Sequence, residues 1–196
     1  AYQGVFKNPL VAPDLLGVSS GACVGASVAI LLHLNSFGVQ AMAFVAGILA
    51  VGLTLFIPRL IKNTNMTMLV LSGIIVKGIM DSVMGIIKYV ADPETELQSI
   101  TYWQLGSLTK VLPKIVTVEP VIVAASVIIF LLRWRINILS LGDREAKTLG
   151  VSVTVVRNFI IICATLLTAS AVCISGTIGW IGLVIPHFAL NAYRSG

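Results

Sequence analysis

Long apolar runs alternate with short polar stretches along this chain. Residues 15–32 and 39–57 carry no formal charge, and about 20 consecutive apolar residues can cross the hydrocarbon core of a bilayer. The pattern therefore predicts an all-α protein, a polytopic transmembrane helix bundle with about six spans. The predicted spans are residues 15–32, 39–57, 66–90, 120–132 with the residues before them, 158–174, and a short glycine-rich sixth, 175–188. Pro120 is predicted to fall in a first helical turn, where a missing N–H is tolerated.

The most polar stretch, residues 133–157, holds seven of the 21 charged side chains and lies between two apolar runs. Ser140 and Asp143 fit a capping box, residues 143–149 can form two helical turns, and Gly150 suits the position just after a helix. A short capped helix on a membrane surface is predicted, and we interpret it as a docking element.

Basic residues predict the orientation in the membrane. If residues 133–157 are cytoplasmic, alternation also places 1–14, 59–65 and 187–196 inside, which gives nine basic residues on that side. The opposite side holds three, Lys88, Lys110 and Lys114.

Composition excludes several other classes of protein. Hydrophobic residues make up 57% and charged residues 11%, with a mean hydropathy of +1.00, whereas a soluble domain has about 25% charged residues. The +5 charge gathers at the ends of apolar runs, which argues against nucleic acid binding. The three cysteines lie in apolar runs without metal-ligand spacing, so no metal site is expected. No phosphate-binding or nucleophile motif occurs, so no catalytic site and no cofactor are predicted.

Ionisable residues interrupt the third span. Lys77 lies near its middle and Asp81 one turn later, with Met84 and Lys88 on the same face. A charged side chain at mid-membrane costs about 2.5–3.5 kcal/mol on insertion scales, so its presence there indicates a functional role. These four residues are predicted to line a water-accessible translocation path. The alternative is a buried Lys77–Asp81 ion pair that only fixes helix packing.

Four sequence blocks resemble a known family in their order along the chain. They are NPLVAPDLLGVSSGACVGA (8–26), YWQLGSL (102–108), LSLGDREAKTLGVSV (139–153) and SGTIGWIGLVIPHFA (175–189). Together they resemble the FecCD family of bacterial ABC-importer permeases, which take up iron-siderophores, haem and cobalamin. Family members typically have ten transmembrane helices, so this chain resembles a middle portion, a fragment forming one permease domain over residues 1–196. Leu190 stands where the family usually has an arginine.

The resemblance implies a multi-pass permease of the bacterial cytoplasmic (inner) membrane, surrounded by lipid, that is not itself an enzyme. Its implied partners are a cytoplasmic ABC ATPase, an extracytoplasmic substrate-binding protein and a second permease subunit, in a homodimer or pseudodimer. The implied ATPase-docking residues in the loop 133–157 are Gly142, Asp143, Arg144, Glu145, Ala146, Leu149 and Gly150. The implied contacts with the binding protein are Glu94, Glu96, Tyr102 and Trp103, of which the two glutamates are expected to be exposed. The cargo is expected to be an iron-siderophore, haem or a related metal chelate.

Two other classes remain open from the residues. One is an ion-coupled secondary transporter in which Lys77 and Asp81 form the coupling site. The other is a purely structural membrane anchor. ATP-dependent uptake, uptake driven by an ion gradient, and no uptake would distinguish the three.

Overall fold

The helices account for nearly all of the chain that is described. The structure is a computed structural model that describes residues 13–62, 66–107, 112–142, 146, 148–150, 152–178, 184–185 and 188. A 3₁₀ turn, Pro13–Leu16, is followed by α1 (Val18–Leu31), α2 (Ser36–Leu60), α3 (Met66–Val90), α4 (Glu96–Leu105), α5 (Leu112–Leu131), α6 (Arg133–Leu141) and α7 (Val153–Ser175). No strand occurs within these ranges, and the predicted all-α class is confirmed.

Three of the described helices, α2, α3 and α7, are long and apolar enough to cross a membrane. A fourth candidate is the pair α5 and α6, which is bent by 57° at Leu132. Helix α1 is apolar but has 14 residues, which is about 21 Å at a rise of 1.5 Å per residue. Half of the predicted sixth span, 175–188, lies outside the described residues.

The predicted first span is shorter than expected because the chain changes direction at Gly17. Gly17 has φ of +76°, a left-handed conformation that favours glycine, and it separates the 3₁₀ turn from α1. The turn is held between two neighbouring helices. The Thr54 hydroxyl of α2 donates to the Leu16 carbonyl at 3.0 Å, and a Cβ on Gly73 of α3 would lie 1.9 Å from the Leu15 carbonyl oxygen.

Small residues bring α1 and α2 into close contact. A Cβ on Gly25 would lie 2.3 Å from the Met42 carbonyl oxygen, and one on Gly21 would lie 2.5 Å from the Ala50 Cβ. Backbones can approach this closely only where side chains are absent or small. The core therefore begins with a tight α1–α2 pair, against which α3 and α7 pack.

Several predicted boundaries are wrong, each for a local reason. Pro120 is the ninth residue of α5 rather than a first-turn residue, since the helix begins at Leu112. Residues 133–141, predicted as loop, form helix α6, because Leu139 is buried and Ile136 and Ile138 pack beside it on the core. Helix α7 begins at Val153 rather than residue 158 for the same reason, since Val153 is buried.

Candidate functional site

Two features of the predicted docking element lie within the described residues. The Ala146 N–H donates to the Gly142 carbonyl at 2.9 Å, a hydrogen bond between residues four apart, as in an α-helix. Gly150 has φ of +74°, as expected for a glycine that ends a helix. Asp143, Arg144 and Glu145 lie outside the described residues.

Ala146 belongs to the protein's own core, which corrects its predicted role as a contact for the ATPase. It is 0% exposed and clusters with Leu139 of α6 and with Val153, Val156 and Ile160 of α7. The docking turn is thereby tied to two helices. Leu149 has the opposite environment, since 60% of its surface is exposed. Of the apolar side chains described in this turn, Leu149 is the one available to a partner.

The predicted charged stripe on α3 divides into an open and a covered half. Lys77 and Asp81 are exposed and do not form the predicted ion pair, although both lie in the described part of the chain. Met84 is buried, 6% exposed, and its sulfur lies 3.4 Å from the Ser27 hydroxyl of α1. Lys88 is half-buried. The open part of the face therefore consists of Lys77 and Asp81, and α1 covers Met84.

Glu96, one of the two predicted acidic contacts, is held by neighbouring groups at the start of α4. The Glu96 carboxylate accepts a hydrogen bond from the Asp92 N–H at 2.9 Å, and its other oxygen lies 3.5 Å from Nε2 of His33. The Glu96 side chain is 16% exposed, so the prediction that it is an exposed acid is wrong, because its carboxylate lies against the Asp92 N–H and His33. Glu94 is exposed, as predicted.

The two predicted aromatic contacts point in different directions. Tyr102 is 58% exposed, whereas Trp103 is half-buried and packs against two core clusters, one containing Cys173 of α7 and the other Ile100. The tryptophan therefore joins α4 to the helix bundle.

A clasp between the ends of α4 and α7 was not predicted. We use the term clasp for residues 104–107 and 175–177. The Ser107 N–H donates to the Ser175 carbonyl at 2.7 Å, and the Thr177 hydroxyl donates to the Gln104 carbonyl. Two glycines allow the approach, since Gly106 has φ of +68° and its Cα would lie 2.8 Å from a Cβ placed on Gly176.

The clasp joins two of the four family-like blocks, 102–108 and 175–189, which lie about 70 residues apart. The signal that could have revealed it is a pair of small-residue steps, Gly106-Ser107 directly after α4 and Ser175-Gly176 at the end of α7. Among the described residues, no group of three or more His, Cys, Asp or Glu side chains could hold a metal ion.

Comparisons with known proteins find several similar permeases. A permease from Helicobacter pylori, named "Probable iron chelatin transport system permease protein", is 40% identical over 188 residues, which are 95% of this chain and 56% of that protein. The molybdate import permease MolB of Haemophilus influenzae is 35% identical, over 95% of this chain and 56% of MolB. The hemin transport permease HmuU of Yersinia pestis is 36% identical, over 94% of this chain and 57% of HmuU.

The fold is also found in a solved structure. That structure, described as an inward-facing conformation of a metal-chelate type ABC transporter, superposes with a TM-score of 0.87 at 35% identity, over 95% of this chain and 60% of that one. The chain spans a little over half the length of the curated relatives that it matches. The profile of the FecCD transport family matches residues 1–195, and the chain belongs to this family.

Proposed function

We propose that this chain is part of the membrane-embedded permease subunit of an ABC importer, which lets a metal chelate cross the bacterial inner membrane. The observation that carries the proposal is the family match over residues 1–195, supported by relatives named as permeases for iron chelatin and hemin. Iron chelates and haem are the proposed cargo. A relative named for molybdate import makes an oxyanion the main competitor.

ATP hydrolysis in a separate cytoplasmic ATPase drives this transport in our proposal, and the docking turn receives the force. The support is mechanical. Ala146 is fully buried among residues of α6 and α7, so a push on the turn moves two helices together rather than a solvated loop. Leu149, exposed at the end of the same turn, offers the apolar contact.

The open face of α3 is the proposed wall of the translocation path. Lys77 and Asp81 are exposed in this chain and no described element covers them. Charged side chains are too costly to face lipid, so they face a water-filled path or the second permease subunit. The ion-coupled alternative is not favoured, because the family and the named relatives are permeases of ABC type and the two residues do not pair.

Glu94 and Tyr102 are the proposed contacts with the substrate-binding protein. Both are exposed, and both belong to the segment that the distribution of basic residues places outside the cell.

Uptake by the intact permease in proteoliposomes with its ATPase and binding protein tests the transport function. We expect uptake of an iron-siderophore or haem that requires ATP and is unaffected when ion gradients are collapsed. Uptake driven by an ion gradient without ATP would contradict the proposal.

One variant of the docking turn, compared with a matched control, tests the coupling. Leu149→Ala removes an exposed side chain, so we expect weaker association with the ATPase and lower transport at unchanged thermal stability. The matched control is Leu34→Ala, which removes an exposed leucine on the predicted opposite side of the membrane. Equal ATPase association for both variants would place the docking contact elsewhere.

A further inference from the structure

A groove lies at the bend between α5 and α6, on the side that faces α7. Its volume is about 410 Å³, and its lining is mostly apolar. The residues that matter here are Ser126, Ile129 and Phe130 of α5, Arg133 and Ile136 of α6, and Leu167 of α7. The sequence pattern predicts no role for these residues beyond the charge of Arg133.

Arg133 provides a cation at the polar end of the groove. Its guanidinium carbon lies 4.5 Å from the centre of the Phe130 ring. Stacking of this kind uses the face of the guanidinium and leaves its N–H edge available to an anion. None of the residues that line the groove is acidic, and Arg133 has no carboxylate partner within the described part of the chain. Its charge is therefore uncompensated there.

The position of Arg133 along the helix matches the level of lipid headgroups. Helix α5 has 20 residues and is about 30 Å long, so it can cross the hydrocarbon core before the 57° bend turns α6 away from its axis. Arg133 follows its last turn by two residues, on the side predicted to be cytoplasmic. Trp134 beside it is 73% exposed, and exposed tryptophans are typical of the membrane–water interface.

We infer that this groove binds an anionic phospholipid of the cytoplasmic leaflet, with the headgroup phosphate on Arg133 and an acyl chain along Ile129, Ile136 and Leu167. Basic pockets between transmembrane helices on the cytoplasmic side suit such headgroups. A zwitterionic lipid such as phosphatidylcholine also carries a phosphate, but its choline cation offsets the attraction to the arginine, and a protein segment as occupant would have to supply a carboxylate beside an apolar chain. The inference depends on membrane insertion in the predicted orientation and not on transport.

Native mass spectrometry of the intact permease, titrated with phosphatidylglycerol or phosphatidylcholine, tests this site. We expect tighter binding of phosphatidylglycerol and about fivefold weaker binding in Arg133→Gln, as one basic residue near the membrane surface contributes. Arg135→Gln is the matched control, because Arg135 is exposed on the same helix but does not line the groove. Ser126→Phe fills the groove without changing charge and should also reduce phosphatidylglycerol binding.

Three results would overturn the inference. Equal weakening by Arg133→Gln and Arg135→Gln would show that diffuse surface charge binds the lipid. Equal affinity for the two lipids would remove the role of the cation. Unchanged binding in Ser126→Phe, with a thermal unfolding curve like that of the wild type, would show that the groove is not the acyl-chain site or is covered by another protein segment.

Discussion

Replacement of Gly176 by alanine tests whether the clasp holds the end of α7 to the end of α4. Gly176 has φ of +72° and ψ of −166°, a conformation that residues with a side chain adopt only under strain of about 1–3 kcal/mol. The new Cβ would also lie 2.3 Å from the Trp103 carbonyl oxygen and 2.8 Å from the Gly106 Cα. Both neighbours are backbone atoms, so relief requires one chain end to move, at about 1–3 kcal/mol for such overpacking.

The two contributions together predict that Gly176→Ala lowers the free energy of unfolding by about 2–6 kcal/mol. For a chain of this size that corresponds to a melting temperature lower by roughly 5–20 °C. The assay is thermal unfolding of the intact permease in detergent, followed with a thiol-reactive fluorophore. Cys23, Cys163 and Cys173 are all buried, so they react only when the bundle opens.

Gly150→Ala is the matched control for backbone strain. Gly150 has a nearly identical φ of +74°, but a Cβ there would meet nothing within 4 Å. Its cost should be limited to about 1–2 kcal/mol for the left-handed conformation. Equal melting temperatures for Gly176→Ala and Gly150→Ala would refute the close approach of the two chain ends.

Three further variants test the packing and the path. Gly73→Ala should lower the melting temperature far more than Gly78→Ala in the same assay. A Cβ on Gly73 would lie 1.9 Å from the Leu15 carbonyl oxygen, whereas a Cβ on Gly78 would meet nothing within 4 Å. Similar melting temperatures for the two variants would contradict the packing of the 3₁₀ turn against α3. Thr54→Val should cost about 1–3 kcal/mol in unfolding free energy, because it leaves a buried carbonyl without its donor, and no loss would contradict that hydrogen bond. In a background without native cysteines, Lys77→Cys should react with a water-soluble thiol reagent, and protection from the reagent would contradict a water-filled path.

The hydrophobic pattern predicted the helical class because spanning runs depend on composition averaged over about 20 residues. Boundaries were less predictable. Pro120 looked like a start signal, but the residues before it continue the helix, and a proline interior to a long helix is indistinguishable in sequence from one near its start.

The candidate site was predictable in part. Part of the docking turn followed from local rules, because the hydrogen bond from Ala146 to Gly142 and the left-handed conformation of Gly150 depend on neighbours in sequence. Whether a side chain in that turn faces a partner or the core depends on the helices packed beside it, and so Ala146 was placed wrongly. The four residues predicted to share an open face of α3 are not all open, because α1 covers Met84. Helical periodicity defines a face of a helix but does not say which half of that face a neighbouring helix covers.

The two halves of the candidate site meet on one helix. The first turns of α7 hold Val153 and Val156 against Ala146 of the docking turn, and its last residue, Ser175, is part of the clasp with α4. The 23 residues of α7 span about 34 Å, comparable to the full depth of a bilayer core. Continuous backbone hydrogen bonding makes a helix stiff along its axis, so a displacement at one end reaches the other with little loss. Because α7 makes a tight contact at each end, a displacement of Ala146 and its neighbours is transmitted to the clasp with α4.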